Sequence, residues 1–160
     1  MKKLLIVWHS MTGGSEALAR AAYAGAQEVK VVLLHAEEAE AADMRDADGY
    51  MFVFPENLAA ISGVMKAFFD RCYYPCLGRI EGRPYAAIIC AGSDGSNALR
   101  QVERIATGWR LKTVADSVII CTHAQTTEAI LAAKTIGQED LDTARNLGAT
   151  LAAGMAMGIF

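Results

Sequence analysis

KLLIVWHSMTGGSEALARAA, residues 3–22, converts an apolar run into an alanine-rich segment within a few positions. Lys3 to Trp8 is almost wholly apolar, as a central parallel strand covered by helices on both faces would be. Ala17, Leu18, Ala21, Ala22 and Ala26 then recur at helical spacing, and their small side chains imply a helix lying close against the sheet. Between the two lie Ser10, Met11, Thr12, Gly13, Gly14 and Ser15. Hydroxyls and glycines at a helix N-terminus leave backbone amides without intrahelical acceptors, at the positive end of the helix dipole. Such a loop suits a phosphate monoester held by neutral donors, or it is only a Ser/Thr cap with glycines for the turn. It lacks the G-x-G-x-x-G of a dinucleotide loop and the G-K-[ST] of a nucleoside triphosphate loop.

The alternation continues along the chain. Val29 to Leu34 reads as a second strand, Glu37 to Asp48 as a short exposed helix, and Tyr50 to Phe54 as a third strand stopped by Pro55. Ile61 to Arg71 carries Val64, Met65, Phe68 and Phe69 on one helical face, Pro84 to Ala91 is a fourth strand, and Asn97 to Thr107 a further helix. Leu111 to Cys121 contains a fifth strand with core VADSVIIC, and a last helix starts near Gln138 and runs through Leu151. Strands alternating with helices predict a single α/β domain over residues 1–160, an open parallel sheet with helices on both faces.

In such sheets ligands sit outside the carboxyl ends of the strands, where strand order reverses. That rule selects the loops at 9–15, 55–62 and 91–97. The second, with Pro55, Glu56, Asn57, Leu58 and Ala59, is apolar enough to lie against a flat ring with its amides at the ring's polar edge, or to be a plain packing loop. The third, with Ala91, Gly92, Ser93, Asp94 and Gly95, offers permissive backbone and short hydrogen-bonding side chains, or simply a turn and a cap.

Composition narrows the function classes. Net charge is −3 and the fifteen basic residues are scattered, so no basic stripe exists for nucleic acid. No apolar run nears the roughly 18 residues of a membrane span, and His9, Ser10 and Thr12 interrupt the N-terminal run too early for a secretory signal. Four cysteines without a pairing pattern suit buried thiols in a reducing cytoplasm. Cys72 and Cys76 read as structural, His9, His35 and His123 are too scattered for a metal site, and Trp8 and Trp109 read as packing residues. His9 could neighbour the phosphate and His123 the pocket. The apolar tail Leu147 to Phe160 lies either on the sheet or in an interface. A receiver domain would need carboxylates where His9, Ser10 and Phe54 stand, and a serine hydrolase needs a G-x-S-x-G that is absent.

S-M-T-G-G-S after a first strand resembles the phosphate loop of flavodoxin-like FMN proteins. PENLAAISGVMKAFFDR, residues 55–71, resembles the P-E-Y-N-G-S-I-P-G-V-L-K-N-A-I-D segment of NAD(P)H-dependent FMN and quinone reductases, matching at Pro55, Glu56, Ile61, Gly63, Val64, Lys66 and Asp70. GRPYAAIICAGSDGSNALRQVERIATGWRLK is similar to that family's fourth strand, loop and helix. Where the family often has Tyr-Asn-Gly-Ser this chain has Asn57-Leu58-Ala59-Ala60, which removes side-chain hydrogen bonds near the ring. The resemblance implies a flavodoxin-like three-layer sandwich with strand order 2-1-3-4-5 and FMN on Ser10 to Ser15, Pro55 to Ala59 and Ala91 to Gly95. NADPH or NADH is the implied donor, a quinone or flavin the acceptor, and a dimer or tetramer the assembly. On that resemblance hydride would pass from nicotinamide to the flavin N5 without a side-chain acid or base, and backbone amides of 57–59 and 93–95 are expected at the ring's pyrimidine edge. The alternative is a flavodoxin-type electron carrier. Carriers usually sandwich the ring between aromatics and present a strongly acidic face, whereas neither ring loop here holds an aromatic residue.

Overall fold

The computed structural model describes every residue from Met1 to Phe160. Five parallel positions form the sheet: β1 (Lys3–Trp8), β2 (Lys30–His35), β3 (Gly49–Asn57), β5 (Pro84–Ala91), and an outer position shared by β6 (Lys112–Thr113) and β7 (Val118–Cys121). A two-residue strand β4 (Ala60–Ile61) pairs antiparallel with the end of β3. In space the order is β2-β1-β3-β5 with β6 and β7 outermost, which is the predicted 2-1-3-4-5 arrangement. The helices are α1 (Gly14–Gly25), α2 (Ala41–Asp46), α3 (Gly63–Cys76), α4 (Ser96–Gly108), α5 (Thr127–Leu131) and α6 (Gln138–Ala156).

Strand alternation explains the three layers. Leu5, Val7, Tyr50, Phe52, Phe54, Tyr85, Ala87 and Ile89 point to the face covered by α3 and α4, where they meet Met65, Phe68, Phe69 and Val102. Leu4, Ile6, Met51, Val53, Ala86, Ile88 and Cys90 point to the other face, against Leu18 and Ala22 of α1 and Leu147 and Leu151 of α6. Both faces of the central strands are buried, which is why their sequences read as continuous apolar runs.

Two strand assignments need correction. Pro55 does not stop the third strand, which runs on to Asn57. Val53 O accepts from His9 N, and residues two apart face the same side, so the imide nitrogen of Pro55 points past the end of β1 and breaks no ladder bond. The fifth strand is interrupted between Thr113 and Val118, because the Ser117 hydroxyl, not a carbonyl, accepts from Ala87 N at 3.2 Å. The hairpin at β4 and the short helix α5 were not foreseen.

The apolar C-terminal segment is largely consumed within the chain. Leu147, Leu151, Ala152 and Met155 are buried on α6, and Phe160 folds back onto Gly154, while Met157 and Ile159 stay exposed. Cys72 and Cys76 lie in the α3 core, where burial pushes the Cys72 thiol up to about 12 and raises Cys76 as well. Cys90 is buried with its pKa raised, and Cys121 alone is partly open. Thiolates react and thiols do not. A disulfide-exchange reagent at pH 8 is therefore expected to titrate one thiol quickly in native protein and all four after unfolding; two fast thiols would contradict the described packing.

Candidate functional site

At the carboxyl ends of β1 and β3 the register brings the predicted loops together. Trp8 lies beside Val53, and Pro55 beside Cys90, so the segments that follow open onto one cleft. The phosphate-type loop is held in shape locally. Ser10 Oγ accepts from Gly13 N at 2.9 Å, and Gly13 takes a φ of 98°, a left-handed conformation that L side chains resist. Gly13 O then accepts from Ala17 N, so α1 starts at once. The amides of Met11, Thr12, Gly14, Ser15 and Glu16 donate to no group of the protein. The Ser15 hydroxyl is buried with no oxygen or nitrogen partner, only the weakly bonding Cys90 thiol beside it. Free amides at a helix N-terminus and an orphaned buried hydroxyl fit the phosphate of FMN, whose oxygens are acceptors.

The second loop is a hairpin rather than an open loop. Glu56 pairs with Ile61 and Asn57 with Ala60, leaving Leu58 (φ 51°) and Ala59 (φ 59°) as the two-residue turn. Positive φ at both positions is the type I′ geometry that asparagine and glycine normally supply. Backbone strain of this kind concentrates at functional sites. The hairpin survives because α4 grips it: Ile61 N donates to Gln101 Oε1 at 2.9 Å, and Asn97 Nδ2 donates to Ala59 O. Leu58 itself is fully exposed beside the cleft. Left-handed backbone costs a non-glycine residue about 1–2 kcal/mol. The double substitution Leu58→Asn and Ala59→Gly is expected to raise the melting temperature by roughly 4 °C; an unchanged or lower value would show the turn to be unstrained.

Glu56 does something the sequence did not announce. Its Oε1 accepts from Gly95 N at 2.9 Å and its Oε2 from Ala98 N at 3.1 Å, so a strand residue caps α4 and locks the second loop to the third. Its carboxylate is spent on that cap. The Gly95 amide, expected to face a ring edge, is spent with it, which leaves Ser93 and Asp94 as the amides of that loop that donate to no group of the protein. Asp94 Oδ1 accepts from Ser96 N at the same turn, and Gly92 and Ser93 line the wall.

A fourth wall was missed. After β7, Thr122 N donates to Ala91 O and His123 N to Gly92 O, which lays Ala124 against the third loop; α5 then presents Ile130, and Lys134 closes the far end. These residues follow the fifth strand at its carboxyl end, the one signal that pointed to them. His123 does not line the cleft, while Thr122 and Ala124 on either side do. His9 turns away from the cleft, its Nδ1 2.7 Å from Ser62 Oγ and its ring edge-on to His35; burial, and then the neighbouring His35, lowers its pKa from the usual imidazole value. About 980 Å³ of empty space, part of it open solvent, lies between Met11, Asn57, Leu58 and Ile130. No aromatic side chain lines it. No group of His, Cys, Asp and Glu side chains is arranged to hold a metal ion, and no helix is long and apolar enough to cross a membrane.

A doubly wound parallel sheet of this order, with helices on both faces, is the flavodoxin-like fold. The fold superimposes on a flavodoxin from the domain Archaea with a TM-score of 0.78 at 17% identity, over 94% of this chain and 96% of that one. A WrbA-like flavodoxin from Agrobacterium tumefaciens gives 0.74 at 20% identity over 99% of both chains. A flavodiiron protein from Giardia intestinalis gives 0.78 at 20% identity over 99% of this chain and 37% of the other. Residues 10–126 match the model of the NADPH-dependent FMN reductases, and the chain belongs to that family. In sequence it is also similar to a flavodoxin of Aquifex aeolicus (strain VF5), 32% identical over 98 residues, which cover 59% of this chain and 53% of that relative.

Proposed function

We propose that the protein binds FMN in this cleft, takes hydride from NADPH or NADH, and reduces a quinone, a free flavin or a similar small acceptor. The observation that carries the reading is a roomy cleft with no aromatic wall. A ring lying between Asn57 to Ala59 and Gly92 to Ser93 keeps one face uncovered, and a nicotinamide and then an acceptor can stack there in turn. Bound FMN supplies the hydride chemistry. The chain's own work is to place it. Met11, Thr12, Gly14, Ser15 and Glu16 hold the phosphate by amides, and Ser15 adds its buried hydroxyl. The α4 grip on the hairpin, through Glu56, Asn97 and Gln101, fixes the ring loop before any ligand arrives, which lowers the ordering cost of binding.

No side chain in the cleft is needed as an acid or base. Donors at Ser93 and Asp94 would favour negative charge on the reduced ring. A homo-oligomer, dimer or tetramer, is part of the proposal, with Met157 and Ile159 the exposed apolar residues left at the C-terminal end. The likeness to flavodoxins supports a second reading, a one-electron carrier. The FMN-loaded protein is expected to oxidise NADPH or NADH with a quinone or riboflavin as acceptor. Absence of oxidation with both donors and every acceptor would remove the reductase reading.

A further inference from the structure

The cradle built by residues 11–16 donates only through amides and hydroxyls, its one charged side chain, Glu16, being paired with Arg20 at 2.9 Å, and a phosphate monoester carries about −1.5 to −2 charge at pH 7. The α1 dipole supplies the equivalent of roughly +0.5. About 1 to 1.5 units of negative charge are left for something else to balance in a half-enclosed site.

Lys134 stands in the place to do so. The irregular stretch between α5 and α6 crosses directly over the loop: Lys134 N donates to Thr12 O at 2.8 Å. A Cβ built on Gly14 would stand 3.5 Å from the Lys134 Cβ and 3.4 Å from Ile136 Cδ1, and one on Gly13 would stand 4.0 Å from Lys134 O. Lys134 is the one basic residue lining the cleft, and the one acidic residue there, Glu56, is already engaged by α4. The Lys134 ammonium is bonded to the carbonyls of Ala129, Ile130 and Ala132, at 2.8, 2.9 and 2.6 Å, around the end of α5. Those are neutral acceptors on a five-residue helix, and a lysine stem with its rotatable donors can keep some of them while turning its charge to an anion. The field of this ammonium reaches Cys90, which lies against the Gly14 position.

We propose that Lys134 is the counter-charge of the cofactor phosphate and sets the preference of this site for FMN over unphosphorylated flavin. The inference rests on the FMN reading above and deepens it. It also assigns a role to the stretch 132–137, which ties the electrostatics of the cradle to the wall formed by α5.

The test is the affinity of wild type, Lys134→Gln and Lys134→Arg for FMN and for riboflavin, each followed by quenching of flavin fluorescence at low and at moderate salt. Lys134→Gln is expected to lose about tenfold or more in FMN affinity and most of the salt dependence, with riboflavin affinity unchanged; Lys134→Arg is expected to keep the preference. An equal loss for both flavins would reduce Lys134 to a cap on α5, and an unchanged FMN-to-riboflavin ratio would likewise overturn the inference. Wild type that binds no FMN refutes the cofactor reading, and this inference with it; wild type that binds FMN alongside an unaltered Lys134→Gln refutes the inference alone.

Discussion

Gly148→Ala is expected to destabilise the protein by about 3 kcal/mol and to lower its melting temperature by roughly 10 °C. A Cβ at Gly148 would fall 2.1 Å from Ala22 O and 2.8 Å from the Ala22 carbonyl carbon, both backbone atoms that cannot rotate away. The contact is reciprocal: a Cβ at Gly25 would meet Arg145 O at 2.0 Å. α1 and α6 therefore cross backbone to backbone, and the buried alanines Ala21, Ala22, Ala144 and Ala152 are the small side chains that this closeness requires. One methyl group has to push two helices apart, and α1 is the helix whose N-terminus forms the cradle. Calorimetric melting of the variant checks the prediction. A shift under about 2 °C would mean that the helices slide apart at little cost.

Gly13→Val is expected to weaken FMN binding at least a hundredfold while leaving the core intact. At φ 98° a β-branched residue is strongly disfavoured, so the loop relaxes to another conformation. The Gly13 N to Ser10 Oγ bond and the Ala17 N to Gly13 O bond both depend on that conformation, and with them the convergence of the free amides. A hundredfold is about 2.7 kcal/mol, the scale of two or three hydrogen bonds to a charged acceptor. Titration of FMN into variant and wild type measures it. Unchanged affinity would reduce the loop to a helix cap.

The fold could be read from the chain because both faces of the central strands are buried. LLIV in β1 and MFVF in β3 are continuous apolar runs, and the small-residue helices between them follow at the right spacing. What escaped was whatever depends on partners distant in sequence. Pro55 looks like a stop until His9 N is seen on Val53 O, which shows that β1 has ended there. Ser117 breaks the fifth strand only because it stands opposite Ala87 N. The hairpin at Leu58 and Ala59 carries none of the usual turn residues, so only its grip by α4 explains it.

The same division holds for the site. Ser10 to Ser15 announce a cradle locally, through hydroxyls and glycines next to a helix start. Glu56 is matched by resemblance, yet its task, capping α4 from a strand more than thirty residues away, shows only in space. Lys134 has no local signal at all, since it is brought to Thr12 by the path of the chain after β7.

Loading the protein with excess FMN, desalting it, and following its visible absorption anaerobically as NADPH or NADH is added separates a reductase from a carrier. The bands of oxidised flavin are expected to be retained and then bleached rapidly by one of the two donors. Retained flavin that neither donor bleaches would contradict the reductase reading in favour of a carrier, and loss of the flavin on desalting would contradict a tight cofactor site altogether.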